Sequence, residues 1–219
     1  MMPPRALTPS GIVLVDKPAG PTSFDIVAAV RRRTGARTGH AGTLDPFATG
    51  LLLLLSGAAT RLQPRFVGLP KRYRTAVDLT KRTSTGDPEG EVEDEHEAPD
   101  ETALDEALEE LRGVVELPVP AASAVKIEGT RAYALHRRGI AVEMPVRKMH
   151  VHELRLESYR DGIAELELLV SSGTYVRSLA DALSGHCTAL RRTEIGPFHV
   201  DEADPERIIP PDEALARLA

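Results

Sequence analysis

A twelve-residue string from Gly39 to Gly50, followed at once by five leucines, constrains this chain more than any other feature of its sequence. The string reads Gly-His-Ala-Gly-Thr-Leu-Asp-Pro-Phe-Ala-Thr-Gly. Its glycines permit tight backbone turns, and Pro46 disfavours a helical conformation at Asp45. We therefore predict a loop, held by a buried apolar run, from which the Asp45 carboxylate projects. A Gly/Pro-rich turn whose aspartate caps the next element would have a similar pattern.

Charge is unevenly distributed along the 219 residues. The net charge is −6, but the stretch from Asp87 to Glu110 holds 13 acidic residues and no Lys or Arg, so the rest has 27 basic against 20 acidic residues. This balance permits an RNA partner, although charge runs usually only solvate a surface. The segments that supply positive charge for phosphates are Arg31–Arg33, Arg37, Lys71–Arg72, Arg74, Lys81–Arg82, Arg137–Arg138, Arg147–Lys148 and Arg191–Arg192.

Length and composition predict a protein that does not cross a membrane. The longest apolar run is far shorter than the roughly 20 residues of a membrane helix. The first ten residues lack an apolar core of signal-peptide length, and the single cysteine, Cys187, cannot form an internal disulfide. We expect a soluble cytoplasmic protein. One large domain over residues 1–219 is expected, with the acidic loop and helix at about 83–112 as an internal excursion; two small domains would also fit the length.

Hydrophobic periodicity predicts strands and helices in an irregular order. The predicted strands are residues 11–15, 71–80, 146–159 and 163–170. The predicted helices follow a cap at Thr22 or Ser23, the solvated loop at 83–100, and a cap at Thr174, with a short helix at Tyr133. The expected buried faces are Phe24, Val27, Ala28 and Val30; Tyr73, Thr75, Val77 and Leu79; Ala103, Leu104, Ala107, Leu108 and Leu111; and Val176, Leu179, Ala180 and Leu183.

The string around Asp45 closely resembles the catalytic motif of the TruB family of tRNA pseudouridine synthases, His-x-Gly-x-Leu-Asp-Pro-x-Ala-x-Gly. Five further segments resemble the same family in the same order. The third of these segments departs from the family pattern, because Val119 splits a proline pair and Ala122 stands where a tyrosine is usual. The segments are Lys17-Pro18, Lys71-Arg72-Tyr73-Arg74, Pro118 to Lys126, Gly173-Thr174-Tyr175-Val176-Arg177, and Leu190-Arg191-Arg192-Thr193.

The resemblance implies roles for individual residues. Asp45 would be the nucleophile, Arg177 its ion-pair partner, and Tyr73 the tyrosine that contacts the target base. Arg177 falls in the first turn of its predicted helix, where a cation opposes the helix dipole and a nearby anion would remove the conflict. The substrate-binding set implied by the resemblance is His40, Tyr73, Tyr175, Leu190, Lys17 and Lys126, with Lys17 either bracing the loop or belonging to an ordinary turn.

The family also implies a fold, a reaction and a substrate. The fold is a mixed α/β (α+β) pseudouridine synthase domain with a central, largely antiparallel sheet flanked by helices. The reaction is isomerisation of uridine 55 in the T-loop of tRNA by base flipping, without cofactor or metal. No sequence motif for zinc, a P-loop or a dinucleotide is present. Typical bacterial members continue into a PUA-type domain, whose absence we expect to reflect a minimal or a truncated form.

Other functions remain open at this point. An RNA-binding or RNA-folding protein without catalysis would use the same basic and aromatic residues, and a synthase of this fold could act on another RNA. A glycoside hydrolase would need a second carboxylate in a comparable setting, and none is evident. We expect a monomer that binds the tRNA T-arm without a guide RNA, since a guide-dependent relative would be expected to carry the PUA domain.

Overall fold

The computed structural model describes residues 10–218. Residues 1–9 and Ala219 lie outside the described residues. The expectation that the chain has no signal peptide concerns mainly residues 1–9. Within the described part, no helix is both long and apolar enough to cross a membrane.

Fourteen strands and six α-helices occur within residues 10–218. The strands are β1 Gly11–Lys17, β2 Thr38–His40, β3 Thr49–Ser56, β4 Lys71–Asp78, β5 Lys81–Thr83, β6 Val92–Glu95, β7 Gly113–Pro118, β8 Lys126–Ile127, β9 Thr130–Arg131, β10 Val146–Arg160, β11 Ile163–Val170, β12 His186–Ile195, β13 Phe198–His199 and β14 Asp204–Ile209. The helices are α1 Ser23–Thr34, α2 Gln63–Val67, α3 Glu101–Glu110, α4 Ala132–His136, α5 Val176–Ala182 and α6 Pro211–Ala216.

Ten of these strands form one sheet in the order β14-β1-β3-β12-β4-β11-β10-β7, with β2 added to β3 and β13 to β12. The pairs β1–β14, β1–β3, β10–β11 and β10–β7 are antiparallel, whereas β3 and β12 are parallel. Two short hairpins, β5–β6 and β8–β9, form separate small sheets. The predicted mixed α/β class with a largely antiparallel sheet is therefore confirmed.

The chain divides into two compact units. The first comprises the residues up to Arg72 together with those from Arg191 onward, and the second comprises Tyr73–Leu190.

In the first unit, the leucine run forms β3 and is buried on both faces of the sheet. Its side chains alternate, because successive residues of a strand point to opposite faces. One face carries Leu51, Leu53 and Leu55 in a cluster with Phe66 and Phe198. The other face carries Leu52 and Leu54, which pack with Val13, Val15 and the α1 residues Val27 and Val30.

Helix α1 begins at a capping box. The Thr22 hydroxyl accepts from the Asp25 N–H, and the Asp25 carboxylate accepts from the Thr22 N–H. Of the two predicted cap residues, Thr22 and Ser23, the cap is therefore Thr22. The prediction that Phe24 lies on the buried face is wrong, since its side chain is 73% exposed. The buried stripe is Ser23, Val27 and Val30, at spacings of four and three residues, and Phe24 lies about 100° around the helix from Ser23.

In the second unit the predicted strands and helices are present, but Ala103, expected on the buried face of α3, is exposed, and the loop at 83–100 differs from its prediction. The side chains of Tyr73, Thr75, Val77 and Leu79 are buried, as predicted. The acidic stretch contains β6 and a tight turn in which Asp87 is only 5% exposed. Composition predicted a solvated loop there because most of its acids are indeed exposed; Asp87 is buried because it has an ion-pair partner, described below.

Candidate active site

Asp45 lies half-buried in the loop between β2 and β3. Gly42 in this loop and Gly50 at the start of β3 have backbone angles that favour glycine, with φ of +126° and +100°. A Cβ on Gly50 would lie 2.2 Å from the carbonyl oxygen of Arg192, whereas a Cβ on Gly39 would meet no atom within 4 Å. Glycine is therefore required at position 50 by the close approach of β12, and position 39 has room for a side chain.

Ser23 holds the residue that precedes Asp45. Its Oγ donates to the Leu44 carbonyl oxygen and accepts from the Leu44 N–H, both at 2.8 Å. Ser23 and Leu44 are both buried, so each bond satisfies a backbone group that water cannot reach. The sequence suggested only a helix cap for this serine. In the structure Thr22 is the cap, and the Ser23 side chain bonds to the Asp45 loop.

Lys17 holds the residues that follow Asp45. Its Nζ donates to the carbonyl oxygens of Pro18, Pro46 and Ala48 at 2.8, 3.1 and 2.7 Å, and the side chain is fully buried. Burial lowers the pKa of Lys17, and the nearby Asp45 carboxylate opposes this effect by favouring the ammonium form. These contacts give Lys17 the geometry of a brace. A direct contact with substrate stays a prediction.

Arg192 holds the other side of the loop. Its Nε donates to the Leu51 carbonyl oxygen at 2.7 Å, while Nη2 and Nη1 donate to the Gly42 and Thr43 carbonyl oxygens at 3.1 and 3.4 Å. The side chain is 1% exposed, so its expected contribution to a phosphate-binding surface is wrong. A buried guanidinium needs acceptors, and the loop carbonyls supply them.

The loop backbone is thus fixed on both sides of Asp45. The carbonyl of Asp45 itself accepts from the Ala48 N–H at 3.2 Å, and the Pro46 carbonyl accepts a second bond from the Gly20 N–H at 2.8 Å. All of these partners belong to the first unit. The arrangement positions one carboxylate rigidly, and such preorganisation is what a group that acts on a bound substrate requires.

His40 lies at the end of β2, on the entry to the same loop. Its Nδ1 accepts from the Gly42 N–H at 3.2 Å, and its carbonyl oxygen accepts from Gln63 Nε2 at 2.7 Å. Burial, and then the charge of Arg192, lower the pKa of His40. The imidazole is therefore neutral near pH 7, and acceptance at Nδ1 leaves the proton on Nε2.

Lys71 is a second buried cation beside the loop. Its Nζ donates to the Val67 and Leu69 carbonyl oxygens, both at 2.6 Å. Burial, and then the charge of Arg192, lower the pKa of Lys71 to about 8. The sequence counted Lys71 with the phosphate-binding segments, which is wrong, because the side chain is buried and its protons are directed to backbone oxygens.

In the second unit, Arg177 lies in the first turn of α5 and is buried. Its Nη1 lies 3.2 Å from Asp87 Oδ2 and donates to the Thr85 carbonyl oxygen at 2.8 Å. Its Nη2 donates to the Ala122 carbonyl oxygen at 3.0 Å. A cation in the first turn of a helix is disfavoured by the helix dipole, and the Asp87 carboxylate offsets this unfavourable interaction.

Asp87 is held in turn by its own neighbours. Its Oδ1 accepts from the Thr85 hydroxyl at 2.6 Å and from the Glu89 N–H at 3.0 Å. Sequence reasoning missed this residue because it opens the acidic run and was assigned to an exposed loop. The turn residues Gly86 and Gly90 around it were the available signal, since a tight turn brings such a carboxylate back onto the protein.

The other predicted site residues also belong to the second unit. Tyr73 in β4 and Leu190 in β12 are buried, and each is the residue at which the chain passes between the units. Tyr175 is half-buried and occupies the N-cap position of α5, which was predicted for Thr174. Lys126 is exposed in the β8–β9 hairpin. Among the described residues, no cluster of three or more His, Cys, Asp or Glu side chains could hold a metal ion.

Comparison with known families identifies the chain. Residues 31–176 match the model described as TruB family pseudouridylate synthase (N terminal domain). The chain belongs to the TruB family. The matched TruB segment contains His40, Asp45, Tyr73 and Tyr175, and it ends one residue before Arg177.

Similar TruB relatives include two bacterial proteins named tRNA pseudouridine synthase B. The relative from Thermobifida fusca (strain YX) is 44% identical over 210 residues, which cover 88% of this chain and 72% of that protein. The relative from Leifsonia xyli subsp. xyli is 44% identical over 222 residues, covering 94% of this chain and 74% of the relative. Among solved structures, a chain of a Cbf5–Nop10–Gar1 complex matches with a TM-score of 0.67 and 27% identity, covering 88% of this chain and half of that one.

Proposed function

We propose that this TruB protein isomerises uridine to pseudouridine in tRNA, at position 55 of the T-loop. The observation that carries the proposal is the Asp45 loop, in which Lys17, Ser23 and Arg192 hold the backbone on both sides of one carboxylate. Relatives at 44% identity over most of the chain are named tRNA pseudouridine synthase B, which supports the same reaction.

The reaction needs one carboxylate and no redox partner. The N1–C1′ glycosidic bond breaks, the uracil rotates, and C5 joins C1′; the C5 proton is released to solvent and N1 takes up a proton from solvent. Asp45 is the proposed nucleophile. Arg177 is the proposed cation beside it, as the family motif implies, and a cation there would stabilise the carboxylate anion. No cofactor is required, since substrate and product are isomers.

The target uridine must leave the stack before it can react. His40 is the proposed residue for the space that the flipped base leaves, and its neutral imidazole suits contact with an uncharged base. Tyr73, Tyr175 and Leu190 would line the flipped uracil, with Lys126 contributing a cation to the bound RNA. An aromatic ring can stack on any base, so specificity for uridine would depend on the edge contacts of the base.

The proposed partner is the T-arm of tRNA, recognised mainly through its folded shape. The protein would act as a monomer, without a guide RNA, and with such a substrate it is expected in the cytoplasm. The similarity to the Cbf5 chain supports the fold. It is not an argument that this chain uses a guide RNA.

The deciding experiment is tritium release from a tRNA transcript labelled at C5 of uridine. Wild type is expected to release tritium from the uridine transcript and none from a transcript with cytidine at the T-loop target. Asp45→Asn should abolish release while tRNA binding stays within a few-fold of wild type. Release by Asp45→Asn at the wild-type rate would refute the role of Asp45.

Variants at two further positions test the roles of Tyr73 and Arg177. Tyr73→Phe should lose less activity than Tyr73→Ala if stacking matters, and equal losses would point to the hydroxyl. Full activity of Arg177→Ala at neutral pH would remove Arg177 as the partner of Asp45. Measurable tRNA binding by wild type with no tritium release would favour the alternative of an RNA-binding protein without catalysis.

A further inference from the structure

Phe24 is an exposed aromatic side chain on a rigid part of the first unit. At 73% exposure it is the most exposed of the large apolar side chains in residues 10–218. Its backbone is fixed on both sides, by the Thr22–Asp25 capping box and by the bonds between Ser23 and Leu44. An aromatic ring in this setting loses little entropy when a ligand covers it.

The position of Phe24 relates it to the Asp45 loop. Ser23, the preceding residue, bonds to Leu44, and Leu44 precedes Asp45. Phe24 is therefore separated from the catalytic loop by one residue in α1 and one hydrogen-bonded contact. The N-terminal end of α1 therefore lies against the segment that carries Asp45.

Two arginines continue the same flank of α1. At about 100° per residue, Phe24, Ala28 and Arg31 fall within roughly 60° of one another around the helix, and Arg31 lies about 10 Å along the axis from Phe24. Arg31 and the neighbouring Arg32 are exposed, and within residues 10–218 neither side chain forms a hydrogen bond or a close salt bridge, although the charge of Arg32 acts on the exposed Asp25 carboxylate.

The opposite flank of the helix is already occupied. Ile26 packs beside Ile208 of β14, and Arg33 donates to the Glu206 carboxylate and the Pro205 carbonyl oxygen of the same strand. The three arginines of the run are therefore not equivalent. Arg33 has a structural partner, whereas Arg31 and Arg32 leave two positive charges beside an uncovered ring.

We propose that Phe24, Arg31 and Arg32 form a contact for an unpaired stretch of the substrate RNA, with one base stacked on Phe24 and the following phosphates bound by the arginines. An exposed ring next to a basic stripe is the combination that single-stranded nucleic acid uses, since every base has a face for stacking. Charge complementarity favours RNA as the occupant over an apolar or basic protein surface. The proposal rests on the proposed function in taking the substrate RNA as the ligand.

The test measures tRNA binding by the full chain, using fluorescence anisotropy of a labelled tRNA transcript at several salt concentrations. Phe24→Ala is expected to raise Kd about tenfold, and Phe24→Tyr, which keeps the ring, should stay within twofold of wild type. Phe24→Leu keeps apolar bulk without an aromatic face and should weaken binding nearly as much as Phe24→Ala. Val92→Ala, at an exposed apolar position in the β5–β6 hairpin, is the matched control and should bind as wild type.

The arginines are tested by salt dependence. The double variant Arg31→Ala, Arg32→Ala should reduce the slope of log Kd against log salt by about 1.4, the value for two phosphate contacts with a single strand. Arg160→Ala, at an exposed arginine that ends β10, controls for a general loss of positive charge and should change the slope by less. Unchanged thermal unfolding of each variant is the check on folding.

The outcomes separate this inference from the proposed function. Binding by Phe24→Ala within twofold of wild type, or by Phe24→Leu equal to wild type, overturns the stacking contact. Tritium release by wild type with Phe24-independent binding refutes this inference alone. Phe24-dependent tRNA binding with no tritium release by wild type refutes the proposed function and supports the contact.

Discussion

The hydroxyl of Ser23 both donates to and accepts from the backbone of Leu44, the residue before Asp45. One side chain thereby satisfies two buried backbone groups, and it does so from a different segment of the chain.

Ser23→Ala should lower the stability and the turnover of the enzyme together. Leaving the Leu44 N–H and carbonyl unpaired costs roughly 2 kcal/mol of unfolding free energy, and a displaced Asp45 should lower kcat about tenfold or more with KM for tRNA within twofold. Thr22→Ala is the control, because it removes the adjacent helix cap at a cost of about 1 kcal/mol without touching the loop. Urea unfolding and single-turnover tritium release measure the two effects, and equal kcat in the two variants would refute the positioning role of Ser23.

Gly39 in β2 and Gly50 in β3, on either side of the Asp45 loop, should respond differently to an added methyl group. Gly50→Ala forces a Cβ onto the Arg192 carbonyl at a positive φ and should lower the unfolding free energy by about 3 kcal/mol or more. Gly39→Ala meets no neighbouring atom and should cost less than about 1 kcal/mol. Urea unfolding of both variants checks this, and similar losses would contradict the geometry of the β3–β12 approach.

The lowered pKa of Lys71 predicts that the stability of the protein rises with pH above neutrality. Its pKa is about 8 in the folded state against 10.5 for the ordinary lysine, so between these values the unfolded chain binds the proton that the folded chain has released. Stability therefore rises with pH across this window, by up to about 3 kcal/mol relative to a variant without the group.

The measurement compares urea unfolding of wild type and Lys71→Met from about pH 7.5 to pH 10.5, the range that spans the folded and unfolded pKa values of Lys71. The advantage of wild type over Lys71→Met should grow with pH. Lys148→Met, at a lysine whose side chain is 77% exposed, should show no such trend. A constant difference between wild type and Lys71→Met would mean that Lys71 keeps an ordinary pKa in the folded protein.

Asp87 and Asp181 offer matched ion pairs with different burial. Asp87→Asn removes the charge from a pair whose side chains are 3% and 7% exposed, and it should lower the unfolding free energy by about 3 kcal/mol. Asp181→Asn weakens a pair with Arg82 that is about 40% exposed on each side, and solvent screening limits its cost to less than about 1 kcal/mol. Equilibrium unfolding decides, and a cost for Asp87→Asn as small as that for Asp181→Asn would contradict a structural role for the buried pair.

The sequence predicted the main elements and the central loop because both depend on local patterns. Alternation identified β4, β10 and β11, and an apolar stripe identified α3. The glycines and Pro46 identified the Asp45 loop as a turn. Each of these signals is contained within a few neighbouring residues, so no knowledge of distant contacts was needed.

What the sequence could not predict was the destination of individual charged side chains. Arg192 and Lys71 were counted with surface phosphate ligands, yet both are buried on backbone carbonyls. Asp87 was counted with a solvated run, yet it pairs with Arg177. Basic and acidic residues are usually exposed, and only the three-dimensional position of an acceptor or counter-charge reverses that preference.

The bonds from Arg192 to the Asp45 loop also bear on when the enzyme becomes competent. The guanidinium that holds Gly42 lies 150 residues further along the chain, so a growing polypeptide has the carboxylate long before it has this support. The loop can reach its final geometry only after β12 has been synthesised and has paired with β3. A nascent chain on the ribosome, surrounded by tRNA, would therefore carry an incomplete site until β12 has emerged.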